Sequence, residues 1–289
     1  MTLEQLRIFV AVAERLHMTR AAEALRVSQS AASAAVAALE AQHGVRLFDR
    51  VGRGLALTDA GRAFLPEARA VLAQAGAASQ ILDDLAGLKR GRIALAASQT
   101  VASYWLPGRM ARFAAAYPGI ALSLRVGNTA QVAEAVLAGA ADLGFVEGRA
   151  DHPSLTRRVV GGDRVSLYAA AHHALAGRPI AAGELRRAGF VLREAGSGTR
   201  AHFDAAMAGA GLAAGDLRVV LELPSNEAAL AAAIGGGLVA AVSDVSAEPL
   251  VACGRLTRLD YDMPDRDFAL LGHAERRRSR AATAFVDAL

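Results

Sequence analysis

Two short helical segments separated by a two-residue turn constrain the fold of this chain more than any other feature of its sequence. Apolar residues at helical spacing predict one helix over residues 19–25 and another over 29–42, with Ser28 as the N-cap of the second. A capping box at Thr2 predicts an earlier helix over residues 3–16. This spacing is typical of a helix-turn-helix, whose second helix enters a DNA major groove. An ordinary helical hairpin within a bundle is the alternative.

The segment that follows favours DNA contact over that alternative. Apolar residues at 45–48 and 54–57 predict two short strands, which would form a wing. The intervening turn, residues 49–53, carries Arg50 and Arg53, which would reach phosphates or the minor groove beside the second helix. A basic loop alone is often merely solvated, so the argument depends on its place behind the helix-turn-helix.

Bulk charge adds little to this argument. The chain has 32 Lys and Arg against 28 Asp and Glu, and residues 1–58 contain seven arginines against five acidic residues. The single cysteine, Cys253, excludes an intrachain disulfide and a cysteine-based zinc site. The apolar runs are too short to span a membrane, and the N-terminus does not resemble a secretory signal. We therefore expect a cytoplasmic protein with no membrane partner.

The N-terminal segments resemble the winged helix-turn-helix of LysR-type transcriptional regulators. The matching residues occur in one order, as Leu6-x-x-Phe9, Thr19-Arg20-Ala21-Ala22-Glu23-Ala24-Leu25, Val27-Ser28-Gln29-Ser30, Leu39-Glu40, Gly44-Val45-Arg46-Leu47-Phe48-Asp49-Arg50 and Leu57-Thr58-Asp59-Ala60-Gly61. The resemblance implies that residues 1–58 form a domain that binds double-stranded promoter or operator DNA. The candidate DNA contacts are Thr19, Arg20, Gln29, Ser30, Ser33, Arg50 and Arg53.

The recognition helix departs from the family pattern at two positions. Many members have proline and arginine where this chain has Ser30 and Ala34. Gln29 can pair bidentately with adenine, whereas serine hydroxyls accept several bases. We therefore predict modest direct readout of the bases, with phosphate contacts and DNA bending supplying the rest.

A long helix is expected to link the DNA-binding domain to the remainder of the chain. Thr58 caps it, and it extends to about Leu88. Its apolar stripe predicts a coiled-coil seam with a second copy, although the helix would alternatively pack on its own domain. The seam positions are Phe64, Ala68, Val71, Leu72, Ala75, Ser79, Leu82, Leu85 and Leu88. Residues 59–91 are thus a linker and dimerisation helix with a hinge at 87–91, and the resemblance implies a homotetramer.

Strands and helices alternate from residue 92 onward, which predicts an α/β domain with a largely parallel sheet. One of the strands is expected over residues 165–170 and another near 268–272. This order resembles the effector-binding domain of LysR-type regulators, which has the bilobed fold of periplasmic solute-binding proteins. The resemblance implies a first lobe at 92–162 and 267–289, and a second lobe at 163–266, joined by two crossovers around a cleft.

Polar residues just past the predicted strand ends are the candidate effector contacts. They are Ser98, Gln99, Thr100, Asn128, Thr129, Glu147, Arg193, Gly196, Ser197, Gly198, Thr199 and Asn226. Hydroxyls and backbone N–H groups at helix N-termini would together cradle a small anion, although each residue taken singly is more typical of a helix cap than of a ligand contact. Glycine at 196 and 198 would let the backbone approach a ligand closely. Arg193 would alternatively pair with Glu194 or Glu147.

Several segments also resemble a branch of the family that includes regulators of sulfur assimilation. They are 127–129, 141–148, 193–200 and 222–228. This likeness implies an inorganic sulfur oxyanion as effector, and an organic anionic metabolite stays equally open. The family further implies RNA polymerase as a partner.

No pattern in the chain indicates an enzyme, a metal site or a cofactor. Ser197 lacks the flanking glycines of a nucleophile elbow, because Ala195 and Thr199 occupy those positions. His172 and His173 are adjacent and would point apart, so they suit neither a metal pair nor a catalytic dyad. The alternative to a regulator is a soluble solute-binding receptor without DNA function, which would leave residues 1–58 unexplained.

Overall fold

The computed structural model describes residues 1–51, 54–85 and 91–289. The wing residue Arg53 and the hinge predicted at 87–91, apart from Gly91, lie outside the described residues. So do Leu88 and the side chains of the seam positions Ser79, Leu82 and Leu85. The chain divides into two compact units, one made mainly of residues 1–85 and the other mainly of the residues that follow.

The first unit is helical, with one small hairpin. Its elements are α1 Leu3–Arg15, α2 Met18–Leu25, α3 Gln29–His43, β1 Phe48–Val51, β2 Gly54–Leu57 and α4 Asp59–Leu85. The predicted capping box is present: the Thr2 hydroxyl accepts from the Gln5 N–H, and the Gln5 side chain accepts from the Thr2 N–H. Ser28 likewise caps α3, so the three helices begin within a residue of where their local sequence predicts.

The first strand of the wing was predicted in the wrong place. It covers Phe48–Val51 rather than residues 45–48, and Phe48 pairs with Leu57 while Val51 pairs with Gly54. The reason lies in α3, where the Glu40 carboxylate accepts hydrogen bonds from the N–H groups of Leu47 and Phe48, at 2.7 and 3.2 Å. Because the N–H groups of Leu47 and Phe48 bind this helix side chain, residues 45–47 form no strand, and the ladder begins at Phe48.

The first part of α4 packs on its own unit. Ala68 is fully buried, and the Phe64 ring lies 5.0 Å from the Phe9 ring of α1. Arg69 donates to Glu14 of α1 at 3.1 Å. Phe64 and Ala68 therefore pack on their own domain, which was the alternative to a dimer seam, because their side chains contribute to the core around α1. By contrast, Val71 is exposed.

The second unit is built on one continuous sheet flanked by helices. Its strands are β3 Gly91–Ser98, β4 Ile120–Gly127, β5 Leu143–Glu147, β6 Leu155–Ala170, β7 Gly189–Arg193, β8 Arg218–Leu223, β9 Val239–Ser243, β10 Leu256–Arg258 and β11 Asp265–His273. Its helices are α5 Leu106–Ala116, α6 Thr129–Leu137, α7 Ala182–Leu185, α8 Gly198–Gly209, α9 Asn226–Gly236, α10 Asp244–Ala252 and α11 Arg280–Asp287, with a π-helical turn at Val101–Trp105 and a 3₁₀ turn at Ala214–Asp216.

The sheet is parallel towards both ends and antiparallel in the middle. The strand order is β4-β3-β5-β11-β6-β9-β7-β8, with β10 paired to β6. Strand β3 runs parallel to β4 and β5, and β7 runs parallel to β8 and β9. The long strands β6 and β11 run antiparallel to their neighbours. The prediction of a largely parallel sheet therefore holds only for the two ends.

Strand β6 is much longer than the predicted strand at 165–170, and β11 begins three residues before the predicted start at 268. The first part of β6 pairs with β11, and its last part pairs with β9 and β10. Two glycines in β6 make this possible. A Cβ on Gly161 would lie 2.9 Å from Trp105 Nε1, and a Cβ on Gly162 would lie 2.7 Å from the Arg266 carbonyl oxygen.

Separate apolar clusters cover the two ends of the sheet. One surrounds Phe145, Phe113 and Phe285, and the other surrounds Phe190 and Phe203. Within the described part of the chain, no helix combines the length and apolar character needed to cross a bilayer. The clusters hold the strand ends in place, and these ends position the candidate site.

Candidate functional site

The candidate DNA interface is the exposed face of α3. Ala32 and Val36 on the other face are buried in the core of the first unit, as is Leu39. Gln29 and Ser30 are exposed at the start of the helix, and Ser33 is half-buried. An exposed face on the second helix of the pair is what readout in a major groove requires.

Side-chain hydrogen bonds order this face. Gln29 Nε2 donates to Ser33 Oγ at 3.2 Å, one helical turn away, and the hydroxyls of Ser28 and Ser30 lie 3.0 Å apart. The Gln29 amide is therefore held on the exposed face of the helix. Gln29 is the one long polar side chain among the candidates on this helix.

Three further predicted contacts lie around α3. Thr19 and Arg20 are exposed in the first turn of α2, and Arg50 is exposed in β1 opposite Leu55. The predictions overlooked His17, whose Nδ1 accepts from the Arg20 N–H at 3.4 Å and caps α2. Histidine is an uncommon N-cap, so the sequence had no strong signal for this residue.

The candidate effector cleft lies in the second unit, where strand ends from both parts of the sheet meet. Ser98 ends β3 and Glu147 ends β5, and the Ser98 hydroxyl donates to the Glu147 carboxylate. The Thr129 hydroxyl donates to the Glu147 carbonyl oxygen at 2.8 Å, and Asn226 Nδ2 donates to Thr100 Oγ1 at 3.0 Å. All five of these residues are buried. The predicted residues therefore converge.

Arg193 is the centre of a second set of contacts in this cleft. Its guanidinium binds Glu194 through Nε and Nη2, at 2.8 and 3.1 Å. Its Nη1 donates to Gln99 Oε1 at 3.1 Å and to Asn226 Oδ1 at 3.0 Å. Asn128 Nδ2 donates to the same Glu194 carboxylate at 3.4 Å. Of the two partners that the sequence left open for Arg193, the structure places Glu194 beside it.

The N-terminus of α8 supplies the remaining predicted residues. Ser197 caps the helix, and Gly196 has φ +87°, a conformation that favours glycine. A Cβ on Gly198 would lie 1.9 Å from the Glu147 carbonyl oxygen, so the close approach that this glycine permits is to strand β5. The Thr199 hydroxyl is buried and accepts from Arg266 Nη1 at 2.8 Å.

Three residues of the cleft, Arg266, Asp163 and Tyr104, were missed by the sequence-based prediction. Arg266 at the start of β11 binds Asp163 of β6 through Nε and Nη2, at 2.8 and 2.5 Å. Glu227 accepts from Gln99 Nε2 at 2.7 Å and from the Tyr104 hydroxyl at 2.9 Å. Glu227 directly follows the predicted Asn226 and belongs to the segment Ser225-Asn226-Glu227, which the strand-end rule selects. Arg266 and Asp163 lie within strands and carry no such signal.

Burial dominates the electrostatics of the cleft. It raises the pKa of Glu147 above the ordinary 4.5, while the charge of Arg266, whose Nη1 lies 4.0 Å from the Glu147 Oε1, acts in the opposite direction. Burial and the hydrogen bond to Glu227 raise the pKa of Tyr104 to about 12. The two buried guanidinium groups, Arg193 and Arg266, are each paired with a carboxylate of the chain itself. Neutral side chains bind these charges as well: the Ser98 hydroxyl donates to Glu147, and Asn226 Oδ1 accepts from Arg193.

The described residues contain no group of three or more His, Cys, Asp or Glu side chains arranged to hold a metal ion. The cleft can instead bind and orient a small polar molecule through hydroxyl, amide and guanidinium donors. Because its residues come from both ends of the sheet, such a molecule would contact two parts of the unit at once. That arrangement would couple binding of the molecule to the relative position of the two parts.

Comparisons with known proteins agree with this architecture. Residues 3–62 match the model of the bacterial regulatory helix-turn-helix protein, lysR family, and residues 86–289 match the LysR substrate binding domain. The chain is 33% identical to the HTH-type transcriptional regulator YeiE of Escherichia coli K12, over 99% of this chain and 96% of the relative. It is 32% identical to the regulator CbbR of Rhodospirillum rubrum, over 90% and 85% of the two chains.

Solved structures share the fold over the whole length of the chain. CbnR complexed with its target DNA is 26% identical, with a TM-score of 0.70 and coverage of 100% of this chain and 98% of that one. Full-length OxyR of Pseudomonas aeruginosa shares the fold at 22% identity and a TM-score of 0.72, covering 100% and 94% of the two chains. These relatives are transcription regulators and not enzymes. The chain belongs to the LysR family, as a DNA-binding transcription regulator with an effector-binding domain.

Proposed function

We propose that Gln29 of α3 makes the main base contact of this regulator and that Arg20 and Arg50 bind phosphates. A small anionic effector bound in the cleft of the second unit would control this binding. The observation that carries the proposal is the convergence of buried polar side chains from several strand ends, among them Ser98 and Asn226. A receptor without DNA function is not favoured, because the helix-turn-helix match covers residues 3–62.

The DNA part of the proposal is supported by the exposed, ordered amide of Gln29. A bidentate contact between this amide and adenine contributes about 1–3 kcal/mol of discrimination. Gln29→Ala should therefore reduce the preference for an operator over random DNA by roughly 5- to 150-fold at fixed salt. Gln42→Ala, at the other end of the same helix, is the matched control. Full discrimination retained by Gln29→Ala would contradict the assigned role.

A salt titration tests the phosphate contacts separately. Removal of one arginine that binds a phosphate lowers the slope of log affinity against log salt by about one. For the intact protein we expect a steep decline of affinity with salt on duplexes taken from beside its own gene. Weak binding with no salt dependence would argue against the DNA interface as a whole.

The effector part of the proposal rests on the donors of the cleft. The regulatory domain of CcmR from Synechocystis, 30% identical with a TM-score of 0.62, over 68% of this chain and 95% of that one, is solved in complex with 2-PG. For this chain we propose a small anion, either an inorganic sulfur oxyanion or an organic anion. Thermal-shift titration of the full-length protein with sulfite, sulfate, thiosulfate and a panel of organic acids distinguishes them, because a ligand of the folded state raises the melting temperature.

Two variants show whether a shift arises in the cleft. Ser98→Ala and Thr199→Val remove buried hydroxyls from opposite sides of it and should reduce the shift. Thr257→Val in β10, where the hydroxyl is exposed, should leave the shift unchanged. The absence of a shift with every anion would remove the support for an anionic effector.

We further propose how the chain is assembled. Residues 1–58 would form the DNA-binding domain, 59–91 the linker and dimerisation helix with its hinge, 92–162 with 267–289 the first lobe, and 163–266 the second lobe. The lobe boundaries are supported by the change of partner along β6, from β11 to β9. The exposed Val71 of α4 supports pairing of two linker helices, and two such dimers would form a homotetramer. Cytoplasmic location and contact with RNA polymerase complete the proposal, and light scattering of the full chain tests the tetramer.

A further inference from the structure

The pairing of Arg193 with Glu194 has the geometry of a bound ligand. Nε and Nη2 of the guanidinium each donate to a different oxygen of the carboxylate, at 2.8 and 3.1 Å. This two-pronged arrangement is the one with which arginine binds carboxylates, phosphates and related oxyanions. The side chain of Arg193 is 2% exposed, so its charge needs an anion at this edge.

Neutral acceptors hold the opposite edge of the same guanidinium. Nη1 donates to Gln99 Oε1 and to Asn226 Oδ1, at 3.1 and 3.0 Å. These amide oxygens orient the group without neutralising it, since they carry no net charge. The guanidinium would consequently stay in position if the carboxylate left. Only the edge that faces Glu194 would change its partner.

Glu194 is able to leave, whereas the corresponding partner of Arg266 is not. The side chain of Glu194 is 24% exposed and lies just beyond the end of β7. Asp163, which binds Arg266 in the same two-pronged way, is 5% exposed and lies within β6. The exposed carboxylate can turn into water, which would solvate its charge. Of the two buried arginines in the cleft, Arg193 is therefore the one whose carboxylate partner, Glu194, can be exchanged for another anion.

We propose that the Nε–Nη2 edge of Arg193 is a subsite for an oxyanion. The carboxylate of Glu194 occupies this subsite as a tethered competitor until an effector displaces it with a carboxylate, a sulfur oxyanion or a phosphorus oxyanion. This inference rests on the proposed function, because the subsite belongs to the same cleft. The exchange keeps the guanidinium paired with one anion before and after binding. Asn128, which donates to Glu194 at 3.4 Å, becomes available to the incoming oxyanion at the same time.

The competitor sets the apparent affinity of the site. If Glu194 holds Arg193 for about nine-tenths of the time, an effector oxyanion binds roughly tenfold more weakly than it would to the free edge. Removal of the Glu194 carboxylate should therefore raise the affinity for the oxyanion by about this tenfold factor. In Glu194→Ala the buried guanidinium lacks a counter-ion, so the stability of the folded state should also depend on added oxyanion.

Calorimetric and thermal-shift titrations of the full-length protein with sodium sulfate and sodium phosphate, at ionic strength held constant with chloride, test the proposal. We expect Glu194→Gln to bind at least one of these anions about tenfold more tightly than the wild type. We expect Glu194→Ala to melt lower than the wild type in chloride and to recover with the oxyanion. The recovery should disappear in the double variant Arg193→Gln/Glu194→Ala.

Glu184→Gln is the matched control, because Glu184 also binds an arginine through two hydrogen bonds, at 2.7 and 3.1 Å to Arg178, but at an exposed site outside the cleft. It should show no gain in oxyanion affinity. Should Glu194→Ala fold only when oxyanion is present, and not in chloride, that result supports the proposal too.

Two outcomes would overturn the inference. The first is a combination of two results: Glu194→Gln binds the oxyanions with the same affinity as the wild type, and the melting temperature of Glu194→Ala does not change when sulfate or phosphate is added. The other is a gain that persists in the Arg193→Gln/Glu194→Ala double variant. Failure of the proposed anionic effector is a different result, namely wild-type protein that responds to no anion. A wild type that responds through Ser98 while Glu194 variants behave identically would leave the proposed function standing and refute the competitor.

Discussion

Replacement of Gly198 by alanine would put a methyl group into the contact between the first turn of α8 and the end of β5. The added Cβ would lie 1.9 Å from the carbonyl oxygen of Glu147, 2.7 Å from its carbonyl carbon and 2.8 Å from Thr129 Oγ1. Non-bonded carbon and oxygen atoms keep about 3 Å or more between them, so the two segments must separate by about 1 Å. Two of the three atoms belong to the backbone, so no side-chain rotation relieves the clash.

The expected cost follows from this geometry. Overpacking of a well-packed contact destabilises a protein by about 1–3 kcal/mol. For a domain of this size, each kcal/mol lowers the melting temperature by about 2–4 °C, which predicts a decrease of roughly 2–12 °C. Separation of Gly198 from Glu147 also moves Thr199 and the Arg193 group away from Ser98. We therefore expect a weaker response to any anion that stabilises the wild type.

Gly209→Ala is the control, because Gly209 ends the same helix, has no positive φ and has nothing within 4 Å of an added Cβ. Alanine there should be neutral or stabilising by up to about 1 kcal/mol, through helix propensity. Thermal unfolding of the full-length variants measures both effects, and retained binding to DNA shows that the first unit is intact. A Gly198→Ala protein that melts within about 1 °C of Gly209→Ala would refute the steric argument.

Three further predictions concern other parts of the chain. Arg50→Ala should weaken binding to all DNA sequences about equally and lower the salt slope by about one, measured by fluorescence anisotropy across a salt series. Gly61→Ala should cost the first unit about 1–3 kcal/mol in urea unfolding, because its Cβ would lie 2.2 Å from the Leu47 carbonyl oxygen, whereas Gly76→Ala on the same helix meets nothing within 4 Å and should be harmless. Burial raises the pKa of Glu147, so the stability that this group contributes is complete below the ordinary pKa of 4.5 and is lost as the pH rises through the raised value. Glu147→Gln should therefore flatten the decline in unfolding free energy above about pH 4.5, and an unchanged pH profile would contradict the assignment.

Much of the first unit could be predicted because its signals are local. A cap joins residues three apart, as Thr2 joins Gln5 and as Thr58 joins Gly61 at 3.0 Å. The start of a helix therefore depends on a few neighbouring residues, whatever the rest of the chain does. The wing strand was misplaced because its start depends on Glu40, which lies seven and eight residues before its partners on another element.

The residues of the candidate cleft could also be predicted from the sequence only in part. Its strand-end residues, such as Ser98, Asn128 and Asn226, follow apolar segments, and the carboxyl ends of parallel strands form a shared edge. Sequence alone thus named most of the residues that converge there. It also named Glu194 as one possible partner of Arg193, because the two residues are adjacent.

Tertiary structure decided the remainder. Arg266 binds Asp163, which is 103 residues away in the chain, and Thr199, which is 67 residues away. No local sequence pattern around these residues predicts the two contacts. The largely exposed first half of β6 becomes a strand because β11 lies beside it and because Gly161 and Gly162 leave room for Trp105 and for the Arg266 carbonyl group. Local patterns specify where helices begin and strands end, since those choices involve a few adjacent residues. The partners of buried charges and of central strands depend on distant segments, so they emerge only when the chain is folded.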